Sequence, residues 1–306
     1  MELWCFLLCL MLVCILIHSI LLAAKARKLP PGPFPFPIVG NLLQLGKMPH
    51  KSLTMLAKFH GPIMSLKLGQ VTTIVISSAP MAKEILQKHD LHFSNRAVPD
   101  AITAHNHHKF SVAWLPPSNQ WRNLRKISNT HVFAAQKLDA NQHLRRKKID
   151  ELLAYVKQRS EEGVAVDIGE AAFMTSLNLM SNTMFSTDLV SPNSDGAREF
   201  WDLISDTAKQ LGKPNLADYF PVVRSIDLQG IRRKHTTSFG KFLGIFDKII
   251  DERLQSRQTH NSAPGSDVLD TLLSINQNNE IDRNQILHLI TSHVALTKES
   301  IFKAYI

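Results

Sequence analysis

Between Leu3 and Ala24 the chain reads LWCFLLCLMLVCILIHSILLAA, 22 residues in which only His18 and Ser19 are polar. A helix needs about 20 such residues to cross the hydrocarbon core of a bilayer. The run therefore predicts one membrane-spanning helix. A cleaved signal peptide is the competing reading, since Ala24-Lys25-Ala26 could mimic a cleavage site. Against it, Glu2 stands where a basic region belongs and the apolar stretch exceeds the usual length. Lys25, Arg27 and Lys28 follow the run and no basic residue precedes it. The excess of positive charge on that flank places the body in the cytosol and the N-terminus in the lumen, as for a single-pass protein of the endoplasmic reticulum membrane.

All three cysteines, Cys5, Cys9 and Cys14, fall inside this run. Residues 15–306 therefore cannot build a disulfide framework, a zinc–cysteine site or a cysteine nucleophile. The body is long enough, and at 44% hydrophobic apolar enough, to bury a sizeable core. The formal charge of +9 comes with only 20% charged residues. It reflects scarce acids rather than a strongly basic composition, and by itself does not identify a partner.

Residues 29–41, LPPGPFPFPIVGN, hold five of the fifteen prolines. Proline fixes φ and bars helix at the residue before it, so this stretch reads as a stiff connector between anchor and body. A proline-rich ligand for an SH3-type domain is the alternative, but the interleaved Phe34, Phe36 and Ile38 are expected to pack. Downstream, 50–60 reads as a helix and 63–77 as a hairpin turning at Gly69-Gln70. Helical patterns follow at 80–89, 121–128, 136–162, 168–185, 199–211, 239–257 and 267–275. In 239–257 an apolar stripe (Phe239, Phe242, Leu243, Phe246, Ile249, Ile250, Leu254) recurs at three and four residues. The expected fold is mainly α with a small N-terminal β-sheet, behind one transmembrane helix. No phosphate-binding glycine loop or nucleophile elbow is present.

Trp121 and Arg125 stand four apart on a helix, so they share a face and could grip one anionic group; an amphipathic surface helix would look the same. Residues 121–148 carry eight basic side chains against one acid, Asp139. That pattern suits either a solvated face or an acidic protein partner. A nucleic-acid partner is not implied, as no recognised binding motif is present. His105, His107 and His108 have a spacing that matches no standard metal site.

Taken together, LPPGPFPFPIVGN, HGPIMSLKLG, SAPMAKEILQKHDLHFSNR, VAWLPPSNQWRNLRKI and DYFPVVRSIDLQGIRRK, in this order, resemble the N-terminal part of a plant microsomal cytochrome P-450, a haem-thiolate monooxygenase. The likeness is to the subfamily that includes geraniol hydroxylases, and it runs from about residue 29 to 289.

The resemblance implies a haem cofactor, with Trp121 and Arg125 on the helix whose side chains hydrogen-bond a haem propionate. It implies that the basic face beginning there, including Arg122 and Lys126, receives an NADPH-dependent flavoprotein reductase. It places Phe110, Val112 and Trp114 in a loop lining the pocket for a small lipophilic, monoterpenoid-like substrate. It also sets the domain plan: 1–28 anchor and basic flank, 29–41 hinge, 42–289 part of the enzyme domain, 290–306 divergent tail.

Two features of the family are not found. Its iron is held by a cysteine thiolate, and no cysteine follows Cys14. Its oxygen-pocket helix motif should follow soon after Ile286, where Thr291 onward reads TSHVALTKESIFKAYI. A change of reading frame or an intron near codon 289 is the expectation. These residues alone are then expected to be inactive, with no catalytic residue and no metal ligand assigned. The alternative is a non-enzymatic, membrane-anchored protein that competes for the reductase.

Overall fold

The computed structural model describes residues 29–190, 195–259 and 267–304, with Phe6 and Val13 singly; of residues 195–198 and 295–304 it describes the backbone. Among the described residues no helix is long and apolar enough to cross a membrane, and the predicted anchor, 3–24, lies outside them apart from Phe6 and Val13. The chain forms two compact units, one from the N-terminus to residue 94 plus 214–229, the other from 95–213 and 230–306.

The first unit is built around a hairpin. α1 (Pro49–His60) leads into β1 (Ile63–Leu68) and β2 (Val71–Ile76), antiparallel with Ile63 opposite Ile76 and Leu68 opposite Val71. Gly69 makes the turn at φ +60, a conformation that costs glycine little. α2 (Ala79–Lys83) continues as a wider π turn over Glu84–Lys88.

The proline stretch lies along β1. Ser65 donates from its backbone N–H to the Pro31 carbonyl (2.9 Å) and from its hydroxyl to that of Pro30 (2.7 Å). Buried Asn41 closes the arrangement: its amide donates to the carbonyls of Pro33 and Phe34, and its Oδ1 accepts from the Lys67 N–H at 2.7 Å. The connector is thus pinned by carbonyls that proline leaves unpaired, not by its aromatic side chains. The expectation that Phe34, Phe36 and Ile38 pack is not met, as they are 83%, 51% and 78% exposed.

The second unit holds the large core, into which α3 (Asn119–Ile127), α5 (Ile168–Phe185), α6 (Asp195–Gly212), α7 (Ile231–Thr259), α8 (Val268–Gln277) and α9 (Arg283–Ala304) contribute unequally, while α4 (Gln142–Glu161), whose one buried residue is Lys148, adds no side chain to it. The expected helix over 136–162 is broken at Asn141, whose ψ of 9° leaves the helical basin, giving Ala135–Ala140 and then α4.

α5 starts on Asp167, which accepts the Glu170 N–H at 2.9 Å, and stops at Ser186 in the left-handed conformation. It buries Phe173, Leu177, Met184 and Phe185. The stripe on α7 meets them, with Phe246 packed on Phe185 and Phe242 on Phe246. α7 begins eight residues before the stripe, in polar sequence whose first turn is held by Arg232 bonded to the fully buried Asp100 at 3.1 Å. A buried ion network joins α7 to α8: Arg253 reaches Asp267 and Asp270, and Arg257 reaches Asp270. α9 runs without a break through position 290, and Leu289, Ile290, Thr291 and Val294 are all buried.

Candidate functional site

α3 carries most of the sequence-predicted site. Ser118 caps it by accepting the Trp121 N–H at 3.2 Å. The 3.6-residue period then buries Leu124 and Ile127 and leaves Arg122, Arg125 and Lys126 outside. Trp121 is half-buried, and its indole N–H donates to the Val112 carbonyl at 3.0 Å. Arg125, one turn on, is exposed and has no ion pair among the described residues. Arg122 donates to Asn119 Oδ1 at 3.0 Å.

The charge of Arg125 is felt at His293 on α9. Burial chiefly holds that imidazole below its ordinary pKa; a hydrogen bond to the Leu289 carbonyl opposes this, and Arg125 adds to it. Phe133 stacks on the His293 ring at 5.2 Å.

Of the remaining basic residues in 121–148, Lys148 departs from the expected positive surface. It is buried, and its Nζ lies 2.8 Å from Glu151 and 2.7 Å from Asp188. Burial works against its charge, and the hydrogen bonds it donates to the two carboxylates more than offset this, so its pKa lies above the ordinary value.

The loop with Phe110, Val112 and Trp114 follows a 3-10 segment, Asp100–Lys109, interrupted at His105 and Asn106, both left-handed. This places the three histidines in different surroundings. His105 is exposed, with Nε2 2.9 Å from the Thr236 carbonyl. His108 is half-buried and held below its ordinary pKa, mainly by burial and then by Lys109. His107 is buried, with Nδ1 2.8 Å from Nδ1 of His288 on α9.

Phe239 of α7 lies against His107 (4.7 Å, edge-on) and stacks with His235 (5.3 Å), while Phe110 stacks on His288 (5.2 Å). Burial, with neighbouring imidazoles second, lowers the pKa of His107 to about 3 and of His235 and His288 to about 4. The cluster is therefore neutral at pH 7, and in the 2.8 Å pair one ring donates and the other accepts. Among the described residues no three histidine, cysteine or acidic side chains come together as a metal site.

Phe110 thus lines the His288 face of the loop, and Val112 packs on the core while binding Trp121 through its carbonyl. Trp114 is half-buried in the turn closed by its N–H on the Ser111 carbonyl. Sequence reasoning did not find His235, Phe239, His288 or Ser292 as neighbours of this loop. The one signal was matched spacing: His107 and Ser111 are four apart, as are His288 and Ser292.

A cytochrome P-450 family model matches residues 30–296. Geraniol 8-hydroxylase of Swertia mussotii is 55% identical over 264 residues, covering 86% of this chain and 53% of that protein. Geraniol 8-hydroxylase of Catharanthus roseus is 54% identical over 267 residues, covering 87% and 54%. Lauric acid 10-hydroxylase of Petunia hybrida is 53% identical over 254 residues, covering 82% and 44%. The chain belongs to the cytochrome P-450 family, and it spans about half the length of the curated relatives it matches.

The family implies haem. Arg125, exposed and without a carboxylate on the described chain, suits a haem propionate, and Trp121 beside it could join in if its indole exchanged the Val112 carbonyl for that group. The iron is another matter: residues 29–304 offer it no thiolate. Arg125 and Trp121 fit the carboxylate edge of haem.

Proposed function

We propose that this chain is the membrane-anchored, substrate-facing half of a monooxygenase that hydroxylates a small lipophilic, monoterpenoid-like molecule with O2. In this reading Trp121 and Arg125 hold a haem propionate, and Phe110, Val112 and Trp114 form one wall of the substrate pocket. Arg122 and Lys126, exposed on the same helix, meet an acidic flavoprotein reductase that delivers electrons from NADPH. The observation that carries this reading is the pairing of an acid-free Arg125 with a half-buried Trp121 four residues earlier on one helix, in a chain 55% identical to a geraniol 8-hydroxylase.

The apolar run 3–24 supports a single-pass anchor in the endoplasmic reticulum with the body in the cytosol. So does the exposure of Phe34, Ile38, Leu43 and Phe59 in the unit that follows it.

Residues 15–306 lack a thiolate, so they are inactive by themselves. Purified and supplied with haem, the chain is expected to give a reduced carbon monoxide difference spectrum without the thiolate-type Soret band. Appearance of that band, or hydroxylation driven by NADPH and reductase, would sink the claim of inactivity. The exposed basic face on α3 favours a second reading, a non-enzymatic competitor for the reductase. It requires the chain to co-purify with reductase and the Arg125→Glu/Lys126→Glu variant not to.

A further inference from the structure

The turn over 100–114 and α9 are joined by two side-chain rungs in one register. His107 Nδ1 meets His288 Nδ1 at 2.8 Å, and four residues on along both elements Ser111 Oγ meets Ser292 Oγ at 2.9 Å. All four side chains are buried. Each serine of the second rung has a further tie: Ser292 Oγ donates to the His288 carbonyl at 2.7 Å, and Ser111 Oγ accepts the Ala113 N–H at 3.2 Å. Phe110 stacked on His288 and Phe239 edge-on to His107 close the sides. His235, stacked on Phe239, is 1% exposed, and among the described residues neither of its ring nitrogens has a hydrogen-bond partner.

We propose that His107–His288 and Ser111–Ser292 form a clasp that fixes the Phe110–Trp114 loop on α9 and releases it on mild acidification. The first rung exists only while the pair shares a single Nδ1 proton, because two protonated Nδ1 atoms at that distance present donor to donor. His235 adds a second acid-sensitive point, a buried imidazole with no acceptor for its charge among the described residues.

The surrounding charges do not rescue the protonated forms. On the turn stand His105, His108 and Lys109, while Asp100 is engaged by Arg232. On α9 Asp282 favours a charged His288, but less than burial and His105 oppose it. The end of α6 carries Asp206 and Lys209, both exposed and 3.6 Å apart.

The direction follows from linkage. The three imidazoles are held below their ordinary value, to about 3 for His107 and about 4 for His235 and His288. Above about pH 6.5 the held and released forms are both neutral, so the clasp has its full strength. As pH falls below that, the released form binds protons that the held form refuses. Opening then grows by up to about tenfold per pH unit for each histidine, until the held form titrates near pH 4.

The clasp belongs to this chain's fold and stands apart from the monooxygenase reading, so it is tested without haem. Hydrogen exchange of the detergent-solubilised full chain, corrected for intrinsic rates, is compared at about pH 7.0 and 5.5. Peptides over 100–114 are expected to lose about tenfold or more of their protection while those of α5 keep theirs. Ser111→Ala is expected to raise exchange of the loop at pH 7.0. The His107→Phe/His288→Phe pair, which keeps the ring volume, is expected to make the pH dependence shallower, leaving the part owed to His235. Unchanged protection of the loop at pH 5.5, or a loss shared equally by α5, would overturn the proposal. So would a Ser111→Ala variant indistinguishable from the parent.

Discussion

The two units hold themselves together by different means. In the unit of residues 29–94 and 214–229, the buried apolar side chains among the described residues are Met64, Leu66 and Ala217. Order there rests on backbone geometry: a six-residue hairpin, a proline strand whose carbonyls bond β1, and Asn41 bonding four groups at once. The unit of residues 95–213 and 230–304 buries Phe173, Phe185, Phe242 and Phe246 in one cluster, with the Arg253–Asp267–Asp270 network at its edge. Burying a phenylalanine is worth about 1.5–3 kcal/mol, whereas an intramolecular hydrogen bond nets about 1 kcal/mol. The second unit should therefore carry most of the chain's stability, and the first should be the easier to open.

The comparison is tested hardest by Phe246→Ala. Its ring is fully buried against Phe185 and Phe242, so truncation removes the transfer energy and leaves a cavity. A loss of about 3–5 kcal/mol of unfolding free energy, read from the denaturant midpoint of the solubilised chain, is expected. A loss below about 1 kcal/mol would mean that the core is loosely packed and that the contrast between the units is false.

Asn41→Ala probes the other unit. It strands the Lys67 N–H and leaves the Pro33 and Phe34 carbonyls without their donor, at an expected cost of about 1–3 kcal/mol. The effect should be local: exchange at 30–41 and in β1 rises while α5 and α7 stay protected. If α5 loses protection equally, the units do not open separately.

How much of this could be read from the sequence depends on the range of the interaction. The hairpin was legible because IMSLKL and VTTIVIS alternate around Gly69, and the turn needs only local geometry. The 239–254 stripe was legible because its period is helical. The first two turns of α7 were not, since they are polar and held by Asp100, some 130 residues away in sequence. The break at Asn141 was hidden because a single non-helical residue between two helical patterns leaves the periodicity almost intact. The proline stretch misled in the opposite sense: its aromatics suggested packing, while the order came from carbonyls that no pattern displays.

Within the candidate site, Trp121 and Arg125 follow from helical spacing, and the structure places them on one helix as expected. The histidine clasp joins positions 181 apart in sequence, beyond any local pattern.

The smallest effect should come from Phe59→Ser, and that is its use. Phe59 is the same residue type as Phe246 and is likewise helical, in the last turn of α1, yet it is 79% exposed. Its ring is wetted in the folded chain almost as fully as in the unfolded one, so removing it forfeits little transfer energy and leaves no cavity. The unfolding free energy should change by no more than about 0.5 kcal/mol, against several for Phe246→Ala. Substituting serine should also reduce detergent-free self-association, because one exposed apolar ring is removed from a unit that also exposes Phe34, Ile38 and Leu43. A loss of about 2 kcal/mol would show that Phe59 is covered in the folded chain. The first unit would then be stabilised by packing after all, and the exposure of Phe59 would no longer support the proposed membrane anchoring.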